Sequence, residues 1–183
     1  MKHHRIRVLV ASGTALVALA AATAALLVVP ALATPVSGVS NPSWSPVIGR
    51  FNDIQATVKT DIDPGRGKNL WRARININKA TDVHIVENVI HPGGTFGWHS
   101  HPGPSLVVVK TGTLSAYHAP DCTPQDFGPV SALGSTFIDD GNDLHMVRNS
   151  GTVDADVYVV SFVPAAFPRR IDEPNPNPST CPN

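Results

Sequence analysis

Three histidines are the residues of this chain whose type and spacing could do chemistry. His99 and His101 are separated by one residue, and His145 follows forty-four positions after His101. If the segment around the first two is extended, side chains two residues apart point to the same face, so both imidazoles would aim at one point. A neutral imidazole binds Fe, Mn, Ni, Cu or Zn through one ring nitrogen. The trio therefore predicts a centre for a divalent transition metal, with open positions for water or substrate.

The first two histidines lie within a longer spacing pattern. Five residues separate Gly93 from His99, three separate His101 from Ser105, and six separate Ser105 from Gly112. This pattern resembles the first motif of the cupin superfamily, which runs Gly, five residues, His, one residue, His, three or four residues, Glu, six residues, Gly. Every spacing is met, and serine stands in the position of the glutamate.

A second and less regular pattern surrounds His145. Gly141 precedes it and Asn149 follows it after three residues, as in the second cupin motif, but Asp139 stands where proline is usual and one extra residue precedes the histidine. The resemblance covers about residues 69–163. It implies an all-β fold, the double-stranded β-helix or jelly roll of a cupin barrel, with the three histidines as metal ligands. It does not identify a reaction.

The serine at position 105 bears on the chemistry. Cupins that resemble oxalate-degrading or flavonol-oxidising enzymes usually supply three His and one Glu, whereas three neutral His leave a divalent ion with a local charge near +2. Such a site favours an anionic second ligand from the substrate, such as a carboxylate, enolate or thiolate. Ser105 and Asn149 are candidates for contacts around the metal or to the substrate. The leading hypothesis is a metal-dependent oxygenase or related enzyme acting on a small acidic molecule, and the alternative is a non-catalytic module that binds a small molecule or a metal.

Strand-type patterning supports an all-β domain. Gly and Pro separate nearly all of the segments that are rich in β-branched residues, and no long amphipathic helical pattern follows the apolar leader. In an antiparallel sandwich or barrel, closure of the sheet hides its edges. The predicted strands are residues 51–58, 70–77, 83–90, 96–101, 105–110, 113–118, 134–139, 145–149 and 155–163.

The ends of the chain differ in composition from this domain. Residues 1–33 predict a secretory signal peptide, because three basic residues precede an uncharged apolar run and small residues end at Ala33. The run is also long enough to span a bilayer, so an uncleaved anchor is the alternative. Residues 34–46 are rich in Pro, Ser and Gly and predict a linker, residues 47–163 the barrel, and residues 164–183 a Pro-rich tail.

The two cysteines indicate an oxidising compartment, and the net charge indicates which partners to expect. Cys122 and Cys181 are the only cysteines, and in an exported chain such a pair predicts a disulfide, which would tether the tail. The whole chain carries 14 basic and 14 acidic residues, so loss of the basic leader leaves a small acidic excess. Neither nucleic acid nor an anionic membrane is therefore an expected partner. The expected partner is a small molecule, together with a second copy of the chain, since cupins are often dimers.

Other charged residues near the histidines receive ordinary interpretations. Asp139, Asp140 and Asp143 precede His145 among Gly and Asn neighbours, which predicts a solvated turn, although a carboxylate there could replace the absent glutamate. The pair at 169–170, Arg-Arg, is interpreted as surface or as a clamp on the tail.

Overall fold

Strands make up most of the structure, a computed structural model that describes residues 32–41, 47–61, 70–128 and 135–183. The predicted signal peptide, apart from its last two residues, lies outside this part of the chain. Within the described residues there is no helix, and hence none that could cross a membrane. The strands are β1 (Ser37–Ser40), β2 (Val47–Phe51), β3 (Ile54–Asp61), β4 (Leu70–Ile77), β5 (Thr81–Thr95), β6 (His99–Ser100), β7 (Ser105–Thr111), β8 (Leu114–His118), β9 (Pro124–Phe127), β10 (Ser135–Asp139), β11 (His145–Arg148), β12 (Ala155–Pro164) and β13 (Ile171–Asp172).

Eleven of these strands form one antiparallel sheet that folds over into two layers. Strand β5 belongs to both: along residues 81–90 it pairs with β12, and at Thr95 it pairs with β11. The first layer runs β2–β5–β12–β7–β10. The second contains β11 flanked by β6 and β8, with β13 beyond β6 and β9 beyond β8. The remaining pair, β3 and β4, forms a separate hairpin.

The core lies between the two layers. Alternate residues of β12 and β7 point inward, so that Ser105, Val107 and Val109 are buried, while Leu106 and Val108 face outward. Burial of each such valine contributes about 1.5–3 kcal/mol to folding. The main apolar cluster takes members from both layers: Ile90, Val107, Val109, Leu114, Ala116, Val147, Ala155, Val157 and Val159.

Some short strands lie where the composition did not predict them. Residues 34–46 were predicted to be a linker, but β1 lies within them and pairs with the distal half of β5, where Val39 is opposite Ile90. The approach is close, since a Cβ on Gly94 would lie 2.4 Å from the carbonyl oxygen of Gly38. Strand β9 was also missed. These strands are held by backbone pairing with distant strands, which local composition does not reveal.

The carboxyl-terminal residues pack against the second layer. Cys122 and Cys181 form the predicted disulfide, with their Cα atoms 5.3 Å apart. Strand β13 pairs with β6, and the indole Nε1 of Trp98 donates a hydrogen bond of 2.8 Å to the carbonyl of Pro182. Trp98, both cysteines and Met146 form a second small apolar cluster. Residues 171–183 are therefore an integrated part of the domain.

Removal of the disulfide should destabilise the domain without changing its strand content. The two cysteines are separated by 59 positions, and closing a loop of that length in the unfolded chain corresponds to about 4 kcal/mol in the chain-entropy description. We expect the double variant Cys122→Ser/Cys181→Ser to lose about 2–4 kcal/mol in urea unfolding relative to the oxidised wild type. Equal unfolding midpoints would contradict this role of the bond.

Candidate metal centre

Neighbouring strands bring the three histidines together. His99 in β6 is the cross-strand partner of His145 in β11, and His101 follows β6 directly. All three side chains are buried, between 3% and 6% exposed. One ring nitrogen from each lies within 4.8 Å of those of the other two. The residues that the spacing selected are therefore placed at one buried point.

Backbone carbonyl groups set the orientation of each ring. Nδ1 of His99 donates a hydrogen bond of 2.8 Å to the carbonyl of Gly97, and Nδ1 of His145 donates one of 3.0 Å to the carbonyl of Asp143. Nδ1 of His101 donates a hydrogen bond of 2.6 Å to the carbonyl of Arg169. A carbonyl oxygen can only accept, so in the neutral ring the proton resides on Nδ1 and Nε2 keeps its lone pair. Such bonds to the second ring nitrogen are the usual means of fixing a metal-binding tautomer.

Burial keeps the imidazoles neutral. Loss of hydration lowers the pKa of His99 far below its ordinary value, and the charges of His145 and Arg170 lower it further. Burial is also the main cause that lowers the pKa of His101 and of His145, although the carboxylate of Asp139 opposes the effect at both. Neutral imidazole is the form that binds a metal ion, so the electrostatics agree with the hydrogen bonds.

Asp139 is part of this cluster, and its interpretation as part of a solvated turn was wrong. Its side chain is only 3% exposed, and Oδ2 lies 3.4 Å from Nε2 of His101 and 3.7 Å from Nε2 of His145. In the sheet Asp139 is the direct partner of Ser105. The carboxylate that the first cupin motif places at position 105 is thus offered from the adjacent strand. Asp140, its neighbour, is exposed, as the turn interpretation predicts.

The donor set fits a divalent cation. Oδ1 of Asp139 accepts a hydrogen bond from the backbone N–H of Gly141, but Oδ2 is buried without a hydrogen-bond partner. It faces two Nε2 lone pairs, and three acceptors in close contact repel one another unless a positive charge lies among them. Imidazole nitrogen together with one carboxylate oxygen suits Fe, Mn, Ni, Cu and Zn.

Ser105 and Asn149 occupy different environments. Ser105 lines the cavity beside the histidines, and its Oγ lies 2.8 Å from Oγ of Ser161 on β12. The amide of Asn149 is fully buried and donates to the carbonyls of Ile90 and Val153 at 2.7 Å each. All the hydrogen bonds that the structure gives the Asn149 side chain go to backbone groups, so this residue supports the fold around β11, and it does not line the cavity.

A cavity of about 50 Å³ adjoins the histidines. Its walls include core residues such as Val107, Val147 and Val159 and the side chains of Arg169 and Arg170. The interpretation of the two arginines as surface residues was therefore wrong, although the backbone of Arg169 does fasten the tail to His101. The signal in the sequence, two adjacent arginines after a proline, contained nothing that pointed to the site.

Comparisons with known proteins give matches among solved structures only. No protein-family model and no curated protein matches the chain. An uncharacterised protein with a double-stranded β-helix domain from Klebsiella pneumoniae is 17% identical over 67% of this chain and 85% of its own, with a TM-score of 0.41. A cupin domain from Bordetella pertussis is 20% identical over 61% of this chain and 93% of its own, with a TM-score of 0.37.

A third solved structure is an enzyme. The polyketide cyclase RemF from Streptomyces resistomycificus is 17% identical over 49% of this chain and 59% of its own, with a TM-score of 0.42. At these values none of the three likenesses carries an activity or a substrate over to this chain.

The strand order and the place of the histidines on it characterise the fold independently. Two antiparallel layers share the long strand β5, and the histidines stand on β6, immediately after it, and at the start of β11. By its own topology the chain is an all-β protein in which antiparallel strands form two layers around a core, as in a double-stranded β-helix.

Proposed function

We propose that this protein binds one divalent transition metal through Nε2 of His99, His101 and His145 and through Oδ2 of Asp139. The observation that carries the proposal is the convergence of three buried imidazole nitrogens, with the unsatisfied Oδ2 of Asp139 3.4 Å from Nε2 of His101 and 3.7 Å from Nε2 of His145. With one carboxylate, the local charge of a divalent ion is near +1, as it is in cupins with the usual glutamate.

We further propose that the protein is a metal-dependent oxygenase or a related enzyme acting on a small acidic molecule. A bound transition metal supplies Lewis-acid and, for Fe, Mn or Cu, redox chemistry. The chain supplies a partly apolar cavity beside it, since valines of the core form part of the wall. A substrate that fills this cavity excludes water, which strengthens every charge interaction there and limits side reactions.

A non-catalytic module that binds a small molecule or a metal is the second candidate. It is favoured by the composition of the cavity wall: among the described residues, the proposed ligands are the only groups there that could act as an acid or base near neutral pH. Oxygen consumption by the metal-loaded protein, measured across organic acids, thiols and phenols, separates the two. Steady turnover excludes the binding module, and its absence across the panel contradicts the oxygenase.

Export from the cytoplasm is part of the same proposal. Support comes from the Cys122–Cys181 disulfide, because such bonds persist in oxidising compartments. The mass of the protein isolated from its own source tests cleavage of the leader. Retention of residues 1–33 would favour the anchor instead.

Metal analysis is the direct test of the centre. Mature protein prepared without a polyhistidine tag should contain close to one equivalent of a transition metal, and His101→Ala should lose at least about 90% of it, because two nitrogens and one oxygen remain. The matched control is His91→Ala, which removes an exposed imidazole. Wild-type protein that holds no metal, and takes up none on addition, would refute the proposal.

The role of Asp139 can be tested by moving the carboxylate. Asp139→Asn should raise the metal Kd at least about tenfold, because the neutral amide keeps the shape but loses the charge. The double variant Asp139→Ser/Ser105→Glu places a carboxylate at the usual cupin position and should recover most of the affinity. Asp140→Asn, a change in an exposed neighbour, serves as the control. Equal affinity of Asp139→Asn and wild type would remove Asp139 from the ligand set.

The metal-free protein should lose stability in mild acid. In the unfolded chain the imidazoles have a pKa of about 6.5, whereas burial lowers the pKa of His99, His101 and His145 in the folded state. The unfolded state therefore binds more protons below about pH 6.5, and stability falls as the pH decreases. At pH 5 each imidazole that stays neutral in the folded state lowers the free energy of unfolding by about 2 kcal/mol.

Urea unfolding of the metal-free protein at pH 7.5 and pH 5 measures this loss. His145→Gln should show a smaller loss because one buried imidazole is absent, whereas His91→Gln should keep the wild-type loss. A urea midpoint of the wild type that is the same at pH 7.5 and at pH 5 would contradict the presence of neutral, buried imidazoles.

A further inference from the structure

Unsatisfied polar atoms are concentrated in residues that line the cavity beside the histidines. Among the described residues, four buried side-chain atoms have no hydrogen-bond partner. One is Oδ2 of Asp139, and two others are Nη1 and Nη2 of Arg170. The fourth, Oδ1 of Asp156, belongs to a carboxylate that is paired with Lys110. The residues of the cavity wall thus include one buried acceptor without a donor and two buried donors without an acceptor.

The guanidinium of Arg170 is held in place from one side. Its Nε donates a hydrogen bond of 2.5 Å to Oδ1 of Asp172, and Asp172 is in turn the strand partner of His99. This contact leaves Nη1 and Nη2, the two parallel N–H groups at the end of the side chain, without a protein partner. The side chain is 18% exposed, so its donors have lost most of their water. Buried donors of a charged group without acceptors are costly, and an anionic ligand removes the cost.

Arg169 adds a second positive charge to the same wall. Both arginines line the cavity, and burial together with the charge of Arg170 lowers the pKa of the Arg169 guanidinium, so two like charges share one poorly hydrated wall. One negative charge between them relieves both the repulsion and the loss of hydration. Asp172 already pairs with Arg170, whereas among the described residues Arg169 forms no ion pair. The wall as a whole therefore favours an anion.

The size and the apolar wall of the cavity limit the uncharged part of that anion. A volume of about 50 Å³ corresponds to roughly four or five water-sized positions, which suits a molecule of few non-hydrogen atoms. Much of the wall is apolar, with Phe96, Leu114, Phe137 and Val157 among its residues. An inorganic oxyanion presents polar oxygens in every direction and would leave some of them against this apolar surface. A carboxylate attached to a short apolar group matches both parts of the wall.

We propose that Arg170, supported by Arg169, binds the carboxylate of a small monocarboxylic acid with an apolar body next to the metal centre. The two Nη–H groups donate to the two carboxylate oxygens, the end-on form of a bidentate pair. This inference rests on the proposed function for the presence of the metal and specifies its substrate class. It also assigns the residues after the barrel a direct part in ligand binding.

Calorimetric titration with isobutyrate tests the proposal, with isobutyramide as the neutral ligand of equal shape and inorganic phosphate as the competing oxyanion. The proteins are wild type, Arg170→Gln, and Arg72→Gln, which removes an exposed arginine of the hairpin as a matched control. Each is titrated after zinc loading and again after chelator treatment, and its metal content is measured. Loss of isobutyrate binding with the metal retained then reports on Arg170, while missing metal in the wild type reports on the proposed function.

Wild type should bind isobutyrate at least tenfold more tightly than isobutyramide or phosphate. Arg170→Gln should weaken isobutyrate binding at least tenfold in both metal states and still hold its zinc, and Arg72→Gln should match the wild type. Should Arg170→Gln not fold, Arg170→Lys keeps the charge without the paired donors and should weaken binding several-fold, and the comparison of acid with amide needs no variant. Equal binding of acid and amide, a preference for phosphate, no detectable isobutyrate binding to the wild type, or unchanged affinity in the arginine variants would each overturn the proposal.

Discussion

A histidine presents a lone pair to a metal only if its other ring nitrogen holds the proton, and backbone carbonyl groups meet this condition at all three rings. Two of these carbonyls belong to residues two positions before their own histidine, so the backbone immediately before β6 and β11 provides them. The third belongs to Arg169, 68 positions after His101. The orientation of one proposed ligand therefore depends on how the carboxyl-terminal residues pack, and these residues are held by the pairing of β13 and by the disulfide.

The position of Asp139 illustrates how a carboxylate on one strand of a sheet can take the place of a carboxylate on the neighbouring strand. Inward-facing residues that are direct partners in an antiparallel pair have Cβ atoms about 5 Å apart, and Ser105 and Asp139 are such partners. A carboxylate can therefore move from one strand to the next and still face the same point. Under the proposed ligand set, Asp139 thus supplies from β10 the carboxylate that Ser105 lacks on β7.

Opposite charges divide the cavity between two kinds of ligand. Asp139 and the three Nε2 lone pairs offer a place for a cation, while Arg169 and Arg170 offer one for an anion. Apolar side chains of the core fill the space between the two layers, which keeps the local dielectric constant low and makes each charge more selective than it would be at a surface. If both proposed ligands bind, each removes an electrostatic cost that the folded chain alone does not offset.

Alternation, turn residues and short spacings are local properties of the chain, so they were sufficient to predict the all-β class, most of the strands, the disulfide and the three histidines as candidate metal ligands. They did not predict the burial of Asp139, the position of Arg169 and Arg170 in the cavity wall, or the strand at residues 37–40. Asp139 lies among turn-forming neighbours, and the arginines follow a proline, so their local patterns indicate exposure. Their burial results from contacts with strands far away in the sequence, and such contacts are decided by packing of the whole sheet, which no local pattern encodes.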